Sequence, residues 1–155
     1  MIQRIQSIWL FLATITLILM LVLPITTKVV DGDEAKIYTN GLHHILKGEI
    51  GSGLNVEVFL PLIITHTVLI LLCFVNIFNF KKRSLQKRVA IFTIAAIAGF
   101  AFWCSIYAKE IPGGIEGANF GIGAYLPAVA ILFVILAILG INKDERLIRS
   151  AERLR

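Results

Sequence analysis

Residues 123–142 read GAYLPAVAILFVILAILGIN and contain no Asp, Glu, Lys or Arg over a length of 20 residues. About 20 apolar residues in a helix are enough to cross the hydrocarbon core of a bilayer. Three more stretches of the chain share this property, namely residues 5–27, 58–80 and 89–108. The sequence therefore predicts an all-α membrane protein, built as a bundle of four transmembrane helices.

The composition of the 155 residues agrees with this prediction. Hydrophobic residues make up 57% of the chain and charged residues 16%, whereas ordinary globular domains contain about 45–50% apolar and about 25% charged residues. The first apolar stretch follows Arg4, as the apolar region of a secretory signal also would. Because its length exceeds the about 7–15 residues of such a region, we interpret it as a membrane span that is kept.

The distribution of Lys and Arg among the connections predicts the orientation of the helices. Eleven of the 15 lie in the N-terminal residues, the 81–88 connection and the 143–155 tail, and the other four lie between the opposite helix ends. Since Lys and Arg accumulate on the cytoplasmic side of membranes, both termini are predicted to be cytoplasmic. The net charge of +5 then reflects contact with the membrane surface, and no nucleic-acid partner is expected.

The connection between the first two spans, residues 28–57, predicts a small β element. Asp31-Gly32 and Asn40-Gly41 are dipeptides typical of tight hairpin turns. Towards the end of the connection, apolar residues alternate with polar ones in the pattern of a half-buried strand, at Leu54, Val56 and Val58. An antiparallel β element over the outer end of the bundle is therefore predicted, with a mobile loop as the alternative.

Two adjacent histidines, His43 and His44, lie in the same outer connection. Neighbouring side chains on a strand point to opposite faces, so a shared metal ion would need a turn at this position. We interpret both as solvated surface residues, and the sequence predicts no metal site.

The connection FKKRSLQKRV, residues 80–89, predicts a tight cytoplasmic turn with five cationic side chains. At the depth of the lipid headgroups, each cation attracts anionic lipid by about 1 kcal/mol. The predicted lipid-contacting residues are Lys81, Lys82, Arg83, Lys87 and Arg88.

His66 and Ser105 are the candidates for an intramembrane polar site, because ionisable side chains within membrane spans often mark function. Counting helical residues at about 1.5 Å each places the two at a similar depth. A hydrogen bond from His66 to Ser105 or Tyr107 is one interpretation, and a structural histidine satisfied by another neighbour is the alternative. Cys73 and Cys104 differ in depth by more than disulfide reach, so both are predicted to be free thiols.

Other polar residues of the first two spans predict hydrogen bonds between helices. They are Thr14, Thr16, Thr65, Thr67, Asn76 and Asn79. No base lies near Ser7, Ser84 or Ser150 in the sequence, and the spacing of Cys and His fits no zinc site. The sequence therefore predicts no catalytic residue, no cofactor and a protein that is not an enzyme.

Residues 143–155, KDERLIRSAERLR, form a predicted amphipathic tail. Gly140 indicates a break in the helix, after which Asn142 and Glu145 have the spacing of a capping box. The predicted docking residues of the tail are Leu147, Ile148, Arg149 and Leu154. The tail is expected to lie along the inner membrane face or to pack on the 81–88 turn, and its acidic residues, Asp144 among them, favour a protein surface as the docking site.

Three segments of the chain resemble a known family: MIQRIQSIWLFLA at residues 1–13, IFNFKKRSLQKRV at residues 77–89 and LPAVAILFVILAILGINKDERLIRSAERLR at residues 126–155. They are similar to the family catalogued as domain of unknown function 4293. The resemblance implies a bacterial four-helix protein of the inner membrane, and it implies no assigned activity and no catalytic residues.

Together these patterns predict a non-catalytic accessory or scaffold subunit of a larger membrane assembly. Its surroundings are a lipid bilayer with anionic headgroups on the cytoplasmic side, and its partner is another membrane protein or a second copy of the chain. The alternative function is a small transporter or channel for a neutral or lipidic solute, with His66 and the polar residues of the second span along its path.

Overall fold

The structure, a computed structural model, describes residues 3–30, 33–48 and 51–152. Four α-helices lie within these ranges: α1 (Gln3–Met20), α2 (Leu60–Phe78), α3 (Arg83–Tyr107) and α4 (Leu126–Glu152). Five strands within the same ranges form one antiparallel sheet: β1 (Thr26–Val30), β2 (Asp33–Tyr38), β3 (Gly41–Gly48), β4 (Gly51–Val58) and β5 (Asn119–Phe120). The prediction of a mostly helical chain with a small antiparallel β element is therefore confirmed.

The helices pack side by side, with α1 against α2 and α4, and α3 against α2 and α4. Contacts at their ends show that neighbouring helices are antiparallel. The end where α1 and α3 begin is called the basic end, because it carries the cations around residues 82–88, and the opposite end, beneath the sheet, is called the sheet end. Helices α2, α3 and α4 are long and apolar enough to cross a membrane, whereas the apolar part of α1, Ile5–Met20, is shorter.

Helix α1 ends earlier than the sequence predicts. The predicted span of residues 5–27 is wrong at its end, because the helix stops at Met20 and Thr26 already belongs to β1. Pro24 follows the helix end, where proline commonly stands, and the apolar Ile25 is buried in the same cluster as residues of the sheet. One continuous apolar stretch of the sequence thus contains both a helix and the start of a strand. Hydropathy alone does not show where the helix ends and the strand begins.

Helices α3 and α4 are both longer than the predicted spans. Helix α3 begins at Arg83 rather than at residue 89, so most of the cationic connection is helical. Helix α4 continues without interruption to Glu152, so the predicted break at Gly140 and the predicted helix start at Asn142 are wrong. Gly140 instead lies where α4 meets α1, since a Cβ at this position would come within 3.1 Å of Cγ of Gln6.

The strands follow the order β4-β3-β2-β1-β5. Tyr38 pairs with Gly41, so Thr39 and Asn40 form the turn between β2 and β3, one residue before the predicted position. Gly41 adopts φ +149° as the first residue of β3, and a Cβ there would lie 2.1 Å from the carbonyl oxygen of Glu57. The glycine is therefore required by the close approach of two strands and by its own backbone conformation.

Strand β4 confirms the predicted strand at residues 54–58, but its described valine side chains are not half-buried. Val56 and Val58 are exposed, because β4 is an edge strand with a neighbour on one side only. The side chain of Leu54 and the predicted turn at Asp31-Gly32 lie outside the described residues.

The interior continues from the helices into the sheet. One cluster of buried apolar side chains takes residues from α1, α2, α3 and α4 and also from the sheet, including Ala35, Ile37 and Leu42. The connection between α3 and α4 is tied to the same region, since the N–H of Gly121 donates to the carbonyl oxygen of Ile25 at 2.9 Å. The sheet thus shares the core of the helices, as expected for a segment too small to form a core of its own.

Candidate functional site

The buried face of every helix carries a polar residue near the basic end. Buried residues recur at spacings of three and four, the pattern of an interior helix stripe. The stripes include Gln6, Leu10, Ala13 and Leu17 on α1, Leu62, His66, Leu69, Cys73 and Asn76 on α2, Gln86, Ala90, Thr93 and Ile97 on α3, and Val134, Ala137, Ile141 and Asp144 on α4. Gln6, Asn76, Gln86 and Asp144 are called the polar quartet.

Within the polar quartet, Gln6 and Asp144 join α1 to α4. Nε2 of Gln6 donates a hydrogen bond to Oδ2 of Asp144, and the two residues are 3% and 4% exposed. The acidic residue that the sequence assigns to the docking surface of the tail thus contacts protein within the chain itself.

Asn76 and Gln86 join α2 to α3 by two reciprocal hydrogen bonds. Nδ2 of Asn76 donates to the carbonyl oxygen of Gln86 at 3.3 Å, and Nε2 of Gln86 donates to the carbonyl oxygen of Asn76 at 3.2 Å. The prediction that Asn76 bridges helices is confirmed. Among the described residues, Oδ1 of Asn76, Oε1 of Gln86 and Oδ1 of Asp144 are buried without a hydrogen-bond partner, so the quartet retains three free acceptors.

His66 lies on the interior stripe of α2 and is fully buried. Its ring packs on the ring of Phe100, with the centroids 4.9 Å apart. Neither ring nitrogen makes a hydrogen bond of normal geometry with the described residues, although the backbone of Leu17 lies near enough to interact with the ring. His66 is thus held by packing between three helices.

The hydrogen bond considered between His66 and Ser105 is not formed. Ser105 is exposed, and its Oγ donates to the carbonyl oxygen of Phe102 at 2.7 Å. The ring of Tyr107 packs on the ring of Phe59, with the centroids 4.6 Å apart. A polar site formed by His66 and Ser105 therefore stays a prediction without a direct contact between the two side chains.

The threonines of α1 and α2 do not bridge helices, contrary to the prediction. Each hydroxyl donates to a carbonyl oxygen of its own helix, at distances of 2.8–2.9 Å. The residues concerned are Thr14, Thr16, Thr65 and Thr67. A helix offers its own carbonyl to a threonine four residues later, and this local bond needs no neighbouring helix.

At the basic end, an open polar cavity of about 320 Å³ lies between the start of α3 and the end of α4, lined by Lys87, Asn142, Glu145 and Arg146. Lys87, one of the predicted lipid-contacting residues, thus lies beside the predicted tail. Leu147 is 46% exposed just beyond the cavity. The side chains of Ile148 and Arg149 and all of Leu154 lie outside the described part of the chain, as does the side chain of Lys81.

An apolar groove, called the α2/α3 groove, runs along the seam between α2 and α3. Its section towards the sheet end has a volume of about 390 Å³ and is lined by residues that include Ile64, Val68 and Leu72 of α2 and Phe92, Ala96 and Gly99 of α3. A second section of about 380 Å³ shares Val68 and Leu72 and continues to Asn76, Asn79 and Val89. The two sections form one groove that leads to the basic end.

At the sheet end, the ring of His43 packs on the ring of Tyr38, with the centroids 4.6 Å apart. Burial lowers the pKa of the His43 imidazole. Within residues 3–30, 33–48 and 51–152, no three His, Cys, Asp or Glu side chains come together as metal ligands would. Cys73 and Cys104 are buried free thiols, which confirms that prediction.

The model of the family described as a domain of unknown function, DUF4293, matches residues 2–154. The chain belongs to this family. The match covers the residues of the four helices and of the sheet. No curated protein matches the chain.

The sequence-based predictions do not identify three members of the polar quartet as buried polar residues, namely Gln6, Gln86 and Asp144. The spacing of Gln6 from Leu10 and of Asp144 from Ile141 is the signal that places them on interior stripes. If the helical periodicity of buried positions is extended from the apolar centre of each helix into its charged ends, it identifies these three residues.

Proposed function

We propose that this DUF4293 protein is an integral protein of the bacterial inner membrane, that all four helices cross the bilayer as a bundle, and that both termini are cytoplasmic. The distribution of Lys and Arg supports this orientation. The packing of α1 supports its role as a span despite its length. Gln6 reaches Asp144, the ring centroids of Trp9 and Phe133 are 5.9 Å apart, and Met20 shares a cavity with Pro127.

Helix α1 therefore accompanies α4 over the whole apolar length of α4. The outer face of α1 is also apolar, with exposed side chains at Ile5, Ile8, Phe11, Ile15, Ile18 and Leu19. Such a face is stable in contact with hydrocarbon, whereas a contiguous apolar surface of this kind is rare on soluble monomers.

Within this membrane setting, the chain acts as a non-catalytic accessory or scaffold subunit of a larger assembly. The observation that carries the proposal is the continuous helix α4, whose end is attached to α1 through Asp144. Its 27 residues span about 40 Å, which exceeds the about 30 Å of a hydrocarbon core. The end of α4 therefore projects as a fixed element that presents the exposed Leu147 among charged side chains.

Such a surface suits another protein better than it suits lipid. A helix lying in the membrane interface would bury its leucines in the bilayer, whereas a helix that continues straight out of the bundle carries Leu147 towards water. Burial of this side chain against a partner would contribute about 1.5–3 kcal/mol. The partner is another membrane protein or a second copy of the chain.

Purification in a mild detergent, followed by mass spectrometry of the intact complex, tests this function. The native chain is expected to carry a stoichiometric partner, and Leu147→Ser is expected to release it. Leu85→Ser is the matched control, because Leu85 is a leucine of similar exposure (42%) at the same end of the bundle. Recovery of the native chain as a lone monomer, or retention of the partner by Leu147→Ser, would contradict the proposal.

The alternative function, a small transporter for a neutral or lipidic solute, has one observation in its favour. The α2/α3 groove is apolar and extends along most of α2, so it offers a surface along which a lipidic molecule could move. Reconstitution into liposomes with a fluorescent phospholipid in one leaflet distinguishes the two functions. A transporter accelerates the exchange between leaflets, and an accessory subunit leaves the rate unchanged.

A further inference from the structure

The α2/α3 groove has the length and the lining of a lipid-binding groove. From Val89 to Trp103 its wall on α3 covers 14 residue steps, or about 21 Å of helix. One leaflet contributes about half of the roughly 30 Å hydrocarbon core, so the groove is long enough to hold an acyl chain along its full depth in that leaflet. Gly99 faces the open space of the groove, since a Cβ added there would meet no atom within 4 Å.

Two amide side chains lie at the basic end of the otherwise apolar groove. Asn76 and Asn79 line its last section, and Oδ1 of the nearly fully buried Asn76 has no hydrogen-bond partner among the described residues. A phospholipid has its polar glycerol and headgroup at the same relative position, directly above its acyl chains. The apolar groove therefore ends beside polar and cationic residues, in the order that a phospholipid requires.

Cationic groups stand where the phosphate of such a lipid would lie. Lys82 is exposed beside the end of the groove, since its N–H donates to the carbonyl oxygen of Asn79 at 3.0 Å and Asn79 lines the last section. It is the N-cap residue of α3, and its side chain makes no capping hydrogen bond. The first N–H groups of a helix and its positive dipole end favour an anion, and Lys82 and Arg83 add two positive charges.

We propose that the α2/α3 groove binds one acyl chain of an anionic phospholipid, whose phosphate lies at Lys82 and the first turn of α3. This site is more specific than the general attraction of five cations to a lipid surface, because it selects a lipid by chain and headgroup together. The proposal is independent of whether the chain acts as an accessory subunit. Charge complementarity with Lys82 and Arg83 favours a phospholipid, whose phosphate always stands above its acyl chains, over an uncharged partner helix.

Native mass spectrometry of the full chain, released from mild detergent with equal amounts of phosphatidylglycerol and phosphatidylcholine of identical acyl chains, tests the proposal. The native chain is expected to retain one phosphatidylglycerol. Gly99→Leu fills the groove and is expected to lose most of the bound lipid. Ala98→Leu is the matched control, since Ala98 lies next to Gly99, is exposed, and is not among the residues that line the groove.

The headgroup is tested separately from the acyl chain. Lys82→Gln is expected to reduce the preference for phosphatidylglycerol over phosphatidylcholine about 5-fold, the equivalent of about 1 kcal/mol for one surface cation, while some lipid stays bound. Lys143→Gln removes an exposed cation from the same end of the bundle and is expected to leave the preference unchanged. The proposal would be overturned if Gly99→Leu retained as much phosphatidylglycerol as the native chain, or if Lys82→Gln preferred phosphatidylglycerol as strongly as the native chain does. It would also be overturned if the native chain and Ala98→Leu carried a protein partner that Gly99→Leu releases.

Discussion

Replacing Gln6 with leucine is expected to lower the free energy of unfolding by about 2–4 kcal/mol. The substitution keeps a side chain of similar size on the interior stripe of α1, but it replaces the amide with an apolar group and so removes the donor that pairs with Oδ2 of Asp144. Because Oδ1 of Asp144 has no hydrogen-bond partner among the described residues, the buried carboxyl group would lose its side-chain donor. Thermal unfolding in a mild detergent, followed by circular dichroism, measures the change.

The double variant Gln6→Leu with Asp144→Leu separates the hydrogen bond from the packing. When both partners become apolar, no polar group is left unpaired, so the double variant is expected to regain most of the lost stability. Lys143→Gln changes an exposed neighbour of Asp144 and controls for charge at the end of α4. If Gln6→Leu unfolds at the temperature of the native protein, the buried pair contributes nothing and the account of the polar quartet is wrong.

His66→Leu is expected to act in the opposite direction and to raise the free energy of unfolding by about 1 kcal/mol. Both ring nitrogens are buried without a normal hydrogen bond to the described residues, and an unsatisfied buried polar group costs about 1–3 kcal/mol. Leucine keeps apolar contact with Phe100 and removes that cost. The same thermal unfolding assay measures the gain.

Leu69→Ala controls for the sensitivity of this assay at the same face of α2. Leu69 lies three residues from His66 and is 5% exposed, so its truncation is expected to cost about 2–5 kcal/mol. If His66→Leu lost as much stability as Leu69→Ala, the imidazole would have to make a hydrogen bond that stabilises the fold. That result would support the interpretation of His66 as part of an intramembrane polar site and would favour the transport function.

How far the sequence predicts this structure depends on which residues carry the signal. Long stretches without charge predict α2, α3 and α4 correctly in kind, because the hydrophobic length required for a membrane is a strict condition. The predicted helix boundaries are less accurate where residues of an apolar stretch also pair in the sheet. Thr26 and Thr27 belong to the same charge-free stretch as most of α1, but they pair with the neighbouring strand β2 and with β5, and β5 lies far away in the sequence.

Gly140 and Asp144 illustrate why the tail is predicted less well. Glycine commonly ends helices, but at Gly140 the close approach of Gln6 accounts for it. A charged residue near a helix end usually faces solvent, but Asp144 is buried by its contact with α1. Both facts depend on the neighbour of α4, and local propensity contains no information about that neighbour. The spacing of Asp144 from Ile141 and Ala137 is the one local signal of its burial.

The topology of α1 is measured most directly by the location of the two termini. A short protease-sensitive tag at each end, digested in spheroplasts and in inverted membrane vesicles, reports the face on which each end lies. Labelling of Glu116→Cys, an exposed position between α3 and α4, by a membrane-impermeant maleimide marks the opposite face. Four crossing helices predict that both tags are cut only in inverted vesicles, while Glu116→Cys reacts only in spheroplasts. Digestion of the N-terminal tag in spheroplasts, with the C-terminal tag protected, would mean that α1 does not cross the bilayer.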